Sequence, residues 1–521
     1  MEGTRRWAGM VAEAAALLEE LVLREAALLG EGDLLAVEQR LQQVFRQVGS
    51  VVVSSILQQR AQGAEGETTA CPACGRRLHL VGRERERSVL GLVGEYRFAR
   101  PTFHCATCHA GHAPLDAVLG LGDERLSPGL AQVVCEQAQK DSFAAASLSV
   151  QRALGAYVAE ETVRRVAEDV GRLVEHDQAD RTLWAVPATA VPTCIVVEID
   201  GVHTPLRDGY HETKVGRVAV LGPRVRTDPE TGRASLVLHT STFCTGLEHV
   251  EDFLPRLYRE AVRAGFGRGV RQVVLLGDGA TWILPRLETL FTQPGVEVIA
   301  IVDFFHAAEH LAEVATALYG PGTLQARTWL AVQQHALLHQ GPAPLLETLA
   351  ACTGLDEPVA DAVRRNRDYF MTRATCLDYP RFIARHLPIG SGAVESACKT
   401  LITQREKGAG MRWTAPGAQH IAQLRALAHS AHARWDVFWA SRPLARLRLL
   451  PPRATPAVPP EADAAPTTLA ATAAPPTAVA DPPADSPPPL AGATRIVSTG
   501  KPWGKGQGYW GRASLKPVRS A

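Results

Sequence analysis

Three apolar runs in the middle of the chain each end at an aspartate, and they constrain the fold more than any other feature. Residues 194–200 read Cys-Ile-Val-Val-Glu-Ile-Asp and stop at Asp200. Residues 270–276 run into Gly277-Asp278-Gly279, and residues 296–302 stop at Asp303. Short, nearly continuous apolar runs bounded by turn residues read as strands buried on both faces. Further strand patterns lie at 215–220 and 234–239, and amphipathic helix patterns at 247–264 and 282–290 separate the later strands.

Three hairpin-linked strands, a helix, a strand, a helix and a strand form the order expected of a ribonuclease-H-like core. Residues 304–389 then read as mostly helical, which suggests an insertion, and Gly390-Ser391-Gly392 opens a last long helix carrying Glu395, Lys399 and Arg405. The expected catalytic domain spans 191–445, with its helical insertion at about 304–389. The fold class is therefore multidomain α/β, with helical segments and a zinc ribbon preceding the core. Residues 1–66 read as an N-terminal helical region, and residues 127–185 as a helix-turn-helix-like, DNA-binding region. Residues 446–493 are rich in Pro and Ala and cannot bury a core, which predicts a disordered linker. The tail at 494–521 holds six Lys or Arg and no acid, with Trp503, Tyr509 and Trp510 among them.

Cys71-Pro-Ala-Cys74 and Cys105-Ala-Thr-Cys108 are separated by thirty residues that alternate like strands. Two such knuckles supply four thiolates from two tight turns, the donor set of a tetrahedral Zn²⁺ site, so residues 67–115 read as a zinc ribbon. Seven arginines against three glutamates between Arg76 and Arg100 give that segment a basic surface. The N-terminus mixes charges into its apolar stretch and no apolar run reaches membrane length, so a soluble, intracellular protein is expected. The chain carries a net charge of only +1, so any nucleic-acid contact must come from local clusters of basic residues.

In a ribonuclease-H-like sheet, Asp200 and Asp278 stand on adjacent central strands and a helix lays Glu395 across them. Clustered carboxylates repel one another and stay ionised beside a cation, which points to Mg²⁺ or Mn²⁺ on Asp200, Asp278 and Glu395. Asp303 is the rival for the second acid, but it follows a strand further from the first. His306 and His310 share one helix face and are an alternative zinc pair.

Several motifs resemble the signature of the ISKra-type insertion-sequence transposases, within the DDE transposase group. They are Ile199-Asp200-Gly201-Val202, Gly277-Asp-Gly-Ala-Thr-Trp282, Asp303-Phe-Phe-His306-Ala-Ala-Glu-His310 and Pro388-Ile-Gly-Ser-Gly-Ala-Val-Glu395-Ser-Ala-Cys-Lys399, with Gly410-Met-Arg-Trp413 and Leu424-Arg-Ala-Leu427 beyond. The resemblance covers roughly residues 70–445. It implies an Asp-Asp-Glu site on Asp200, Asp278 and Glu395 that cuts and joins double-stranded DNA at the element's inverted repeats and at its target. It further implies a homodimer or higher oligomer on DNA, in a prokaryotic cytoplasm at the nucleoid. Asp303 and His306 resemble an acid-and-His pair lying near such sites. Many DDE enzymes place a basic residue about two turns past the glutamate. Here that position is Ile402, so Lys399, and after it Arg405, are the candidates to position DNA. Two other readings stay open: a nuclease on the same core without strand transfer, and a non-catalytic zinc-ribbon DNA-binding regulator.

Overall fold

A computed structural model describes residues 2–62, 70–72, 74–180, 183–227, 234–279, 283–447 and 450. All but the first few residues of the linker read at 446–493, and the whole tail at 494–521, lie outside the described residues.

The cysteine-bearing segment forms β1 (His79–Gly91) and β2 (Gly94–His104), an antiparallel hairpin to which β3 (Gly111–His112) adds at the far end. Alternation in β2 turns Tyr96 and Phe98 inward to join Val89, Leu115, Leu121 and Ala61, so the long helix Leu34–Gln62 closes this small core. Gly94, at φ +129°, turns the hairpin where a side chain would meet the Arg46 carbonyl and Ser50, so the helix can approach the turn closely.

Helices Pro128–Ala138, Phe143–Leu154 and Glu160–Asp177 follow. Ser127 and Ser142 cap the first two, and Gly155, at φ 62°, ends the second. The third helix is buried along most of its length, and its Gly171 packs against the backbone of His420 in the helix Ala415–His429. The first turns of this helix keep Glu160, Glu161 and Arg165 exposed.

The second sheet has five strands: β4 (Cys194–Pro205), β5 (Tyr210–Thr227), β6 (Ala234–Gly246), β7 (Gln272–Gly277) and β8 (Glu297–Val302). Their order is β6-β5-β4-β7-β8. β4 runs antiparallel to β5, and β5 to β6, whereas β4–β7 and β7–β8 are parallel. The parallel connections are made by helices Val250–Arg263 and Ile283–Phe291, whose apolar faces cover the sheet. β4 does not stop at Asp200 but continues five residues further, paired with β5 throughout, so Asp200 lies within a strand.

Helices Phe304–Tyr319, Leu324–Gln340, Pro342–Ala350 and Glu357–Thr372 lie between β8 and the Glu395 helix. Leu337, Leu345, Leu349, Val363 and Phe370 belong to the same buried cluster as the strand residues Ile195, Val274 and Ile301, so the insertion extends the core of the sheet. Each such side chain contributes about 1.5–3 kcal/mol by leaving water. The chain returns through Ile389, whose carbonyl accepts from the Phe304 N–H at 2.9 Å. The Glu395 helix then runs from Gly392 to Glu406 with a π-helical stretch, Cys398–Thr403, in its middle. It is not the last long helix. Gly410 (φ 74°) lies in the break, and Thr414 caps a buried second helix, Ala415–His429, packed between β6 and Glu160–Asp177.

Candidate active site and metal centre

Strand register brings the aspartates to one level. The β4–β7 pairing ends at Glu198 opposite Leu276; carried two residues on, it sets Asp200 level with Asp278. The β7–β8 pairing ends at Gly277 opposite Val302, and one residue further sets Asp278 level with Asp303. The helix Gly392–Ala397 and the π-helical stretch after it pack against β4 at this edge. Asp200 accepts from the Gly201 N–H at 2.8 Å. Burial, then the like charge of Asp278, push the Asp200 carboxyl above its ordinary range, while His306 opposes them. Burial, then Asp303 and Asp200, push Glu395 up in the same way, and His306 and Lys399 pull it down. Carboxylates that repel one another at a partly buried edge are stabilised by a nearby cation. The three acids do not gather as tightly as the four thiols, which form the group of metal-ligating atoms lying within 4.8 Å of one another among the described residues.

Asp303 stands in line with the other two aspartates but is already used. It is fully buried and caps the helix Phe304–Tyr319 by accepting from the N–H groups of Phe305 (2.5 Å) and His306 (3.4 Å). Its other oxygen accepts from the Ser391 N–H at 2.5 Å and from the Ser391 hydroxyl. One carboxylate thereby joins the start of the insertion to the entry of the Glu395 helix. His306 lies beside the acids with its Nδ1 3.4 Å from Glu309. His310 has its Nδ1 2.7 Å from Asn366 Oδ1 and its ring stacked 3.6 Å from that of Tyr369, and neither histidine joins a group of three or more metal-ligating side chains among the described residues.

The insertion supplies contacts that motif spacing did not reveal. Tyr369 donates its hydroxyl to the Asp278 carbonyl at 3.3 Å, and Arg373, stacked over the same ring, donates to the Gly279 carbonyl at 2.5 Å. Together they hold the backbone that carries Asp278. Glu198, on the same face of β4 as Asp200, pairs with Arg217 directly across on β5, and burial pushes its carboxyl up to about 7. A polar residue inside an apolar strand was the available signal for Glu198; nothing local marked Tyr369 or Arg373.

Lys399 is exposed one turn past Glu395. Arg405 is not available to DNA: its guanidinium is buried between the rings of Phe143 (4.8 Å) and Trp413 (4.9 Å) and donates to the Ala138 carbonyl at 2.8 Å. Burial lowers its pKa to about 10, and its contacts tie the Glu395 helix to the helical layer.

In the cysteine cluster, Cys71 Sγ lies 3.5 Å from Cys108 Sγ, and Cys74 Sγ lies 3.4 Å from Cys105 Sγ and 3.9 Å from Cys108 Sγ. A tetrahedron with Zn–S bonds of about 2.3 Å sets its sulfurs about 3.8 Å apart, so the four cysteines fit a metal such as zinc. The N–H groups of Cys108 and then Thr107 favour the Cys105 thiolate, and Cys105 in turn pushes the neighbouring Cys108 thiol up. His112 Nε2 stands 3.3 Å from Cys71 Sγ.

The fold and the sites thus define a mixed α/β protein with a four-cysteine cluster that could hold a metal and a carboxylate edge on its larger sheet. The chain belongs to the family described as "Uncharacterised protein family (UPF0236)", whose model matches residues 32–442. No curated protein matches it. A solved structure, the Drosophila P element transposase strand transfer complex, aligns at 11% identity over 60% of this chain and 79% of that one, with a TM-score of 0.21, too low to carry an argument. No helix among the described residues is long and apolar enough to cross a membrane.

Proposed function

We propose that this protein is a metal-dependent DNA transposase whose ribonuclease-H-like core carries its active site on Asp200, Asp278 and Glu395. The observation that carries the reading is the shared level of Asp200 and Asp278 on adjacent parallel strands, with the Glu395 helix packed against the strand that carries Asp200. The sheet order, with three antiparallel strands followed by two parallel ones, supports the same core. Mg²⁺ or Mn²⁺ held by the three carboxylates would neutralise their repulsion and polarise the oxygens of a phosphodiester. Around that centre the chain's own groups have separate tasks. Asp303 and Ser391 fix the angle at which Glu395 enters, Tyr369 and Arg373 fix the Asp278 backbone, and His306 offsets the negative charge. Lys399, exposed beside Glu395, is the group that would meet the DNA backbone. The cysteine ribbon with its basic strands, and oligomerisation on paired ends, would hold the element's inverted repeats and the target duplex.

The test uses the full chain with Mg²⁺ or Mn²⁺ and labelled DNA carrying the element's ends. Cleaved ends and joined products are expected. Asp200→Ala, Asp278→Ala and Glu395→Ala should each remove both while end binding persists, because phosphate contacts come from other residues. Nicked DNA with no joined product would support the nuclease, and binding without any cleavage would support the regulator.

A further inference from the structure

The β4–β5 hairpin carries a second feature beyond the acids. A cleft of about 550 Å³ opens between the hairpin tip and the loop after the Glu395 helix, lined by Pro205, Tyr210, Lys407, Gly410, Met411 and Arg412. Tyr210 is 65% exposed, an unusual state for an aromatic ring at the first pair of a hairpin, and the Arg412 guanidinium lies 5.6 Å from its ring centroid. Lys407 and Arg412 are both exposed, and neither has an acidic partner among the described residues. The nearby acids are engaged: Asp208 lies 3.2 Å from His211, and Glu212 lies 3.1 Å from Lys214.

The two sides of the cleft are held rigidly together. Arg207 N–H donates to the Trp413 carbonyl at 2.9 Å, and Trp413 N–H donates to the Pro205 carbonyl at 3.1 Å. Trp413 itself is buried, its indole N–H bonded to the Glu406 carbonyl at 3.0 Å and its ring packed on Arg405. The exposed ring and its flanking cations therefore stand on a pre-organised base, which lowers the ordering cost of binding.

We propose that this cleft is a binding site for an unpaired nucleotide of the DNA, its base stacked on Tyr210 and its phosphates met by Arg412 and Lys407. The proposal rests on the reading of this protein as a DNA-processing enzyme. A flat ring open to solvent between cations matches the two chemistries of a nucleotide, a π face and a charged backbone. Duplex DNA offers the second but keeps its base faces stacked inside. Asp200 and Pro205 are five positions apart along β4, roughly 17 Å at strand rise.

The experiment measures binding of the full chain, by fluorescence anisotropy, to a blunt duplex and to the same duplex with an unpaired thymidine overhang. Wild type should bind the overhang substrate more tightly. Tyr210→Ala should lose about tenfold in affinity for the overhang and little for the blunt duplex, while Tyr210→Trp retains both. Arg412→Ala should lower the salt slope for the overhang substrate by about one. Equal affinity of wild type and Tyr210→Ala for the overhang overturns the site while leaving DNA binding intact, and so does an equal loss on both substrates. Failure of wild type to bind either DNA overturns the functional reading as well. A circular dichroism melt of Tyr210→Ala matching wild type separates loss of stacking from loss of fold.

Discussion

Asp303→Ala is the substitution that best separates scaffolding from chemistry in the carboxylate edge. The Asp303 carboxylate is fully buried and accepts four hydrogen bonds, from the N–H groups of Phe305, His306 and Ser391 and from the Ser391 hydroxyl. Removing it costs a helix cap, about 1 kcal/mol. It also strands the Ser391 N–H and hydroxyl in a buried site, at about 1 kcal/mol or more each. The sum is roughly 3–4 kcal/mol, and at about 2–4 °C per kcal/mol for a unit of this size the melting point should fall by roughly 6–16 °C. Asp303→Asn keeps one acceptor oxygen but turns an NH₂ group toward N–H donors, so it should fall between the alanine variant and wild type. Asp278→Ala should abolish cleavage at a temperature where the variant is folded. The assay is thermal unfolding of the metal-free full chain, followed by cleavage at a temperature where every variant is folded. An Asp303→Ala protein that melts like wild type but does not cleave would refute the scaffold argument and make Asp303 a reacting group.

Metal analysis should find about one Zn²⁺ per chain, and Cys105→Ser or strong chelation should unfold the ribbon and weaken DNA binding while the five-stranded sheet stays folded. Burial pushes the Glu406 carboxyl up to about 8, whereas an unfolded glutamate titrates near about 4.3. The folded state therefore holds the extra proton between those values, and stability falls as pH rises through that window, with the full cost reached above about 8. Glu406→Gln should lose this slope and exceed wild type in urea midpoint above that pH. Lys399→Ala should weaken end binding modestly, lower the log–log salt slope by about one and slow cleavage more, with zinc content unchanged; a wild-type slope and rate would leave the lysine a surface charge.

Much of this molecule is legible in one dimension. Apolar runs that stop at acids mark the central strands because burial on both faces demands continuous apolar residues, and that demand acts residue by residue. The two cysteine pairs announce their cluster because each knuckle is a local turn. The helices of the insertion follow from periodicity in the same way.

What local pattern does not contain is which side chain is already spoken for. Asp200, Asp278 and Asp303 look alike in sequence, each at an apolar run, and strand register even sets them level. Only the return of the chain past Ser391 consumes Asp303. Arg405 reads as a surface cation on a helix until Phe143 and Trp413, from two other segments, enclose it. Tyr369 and Arg373 reach the Asp278–Gly279 backbone from some ninety residues away. The platform at Tyr210 exists only because the hairpin and the Trp413 loop share backbone hydrogen bonds. Periodicity and capping depend on neighbours within a turn or two of chain, so sequence carries them. Desolvation and partner choice depend on what packs from a distance, and the tertiary structure alone decides those.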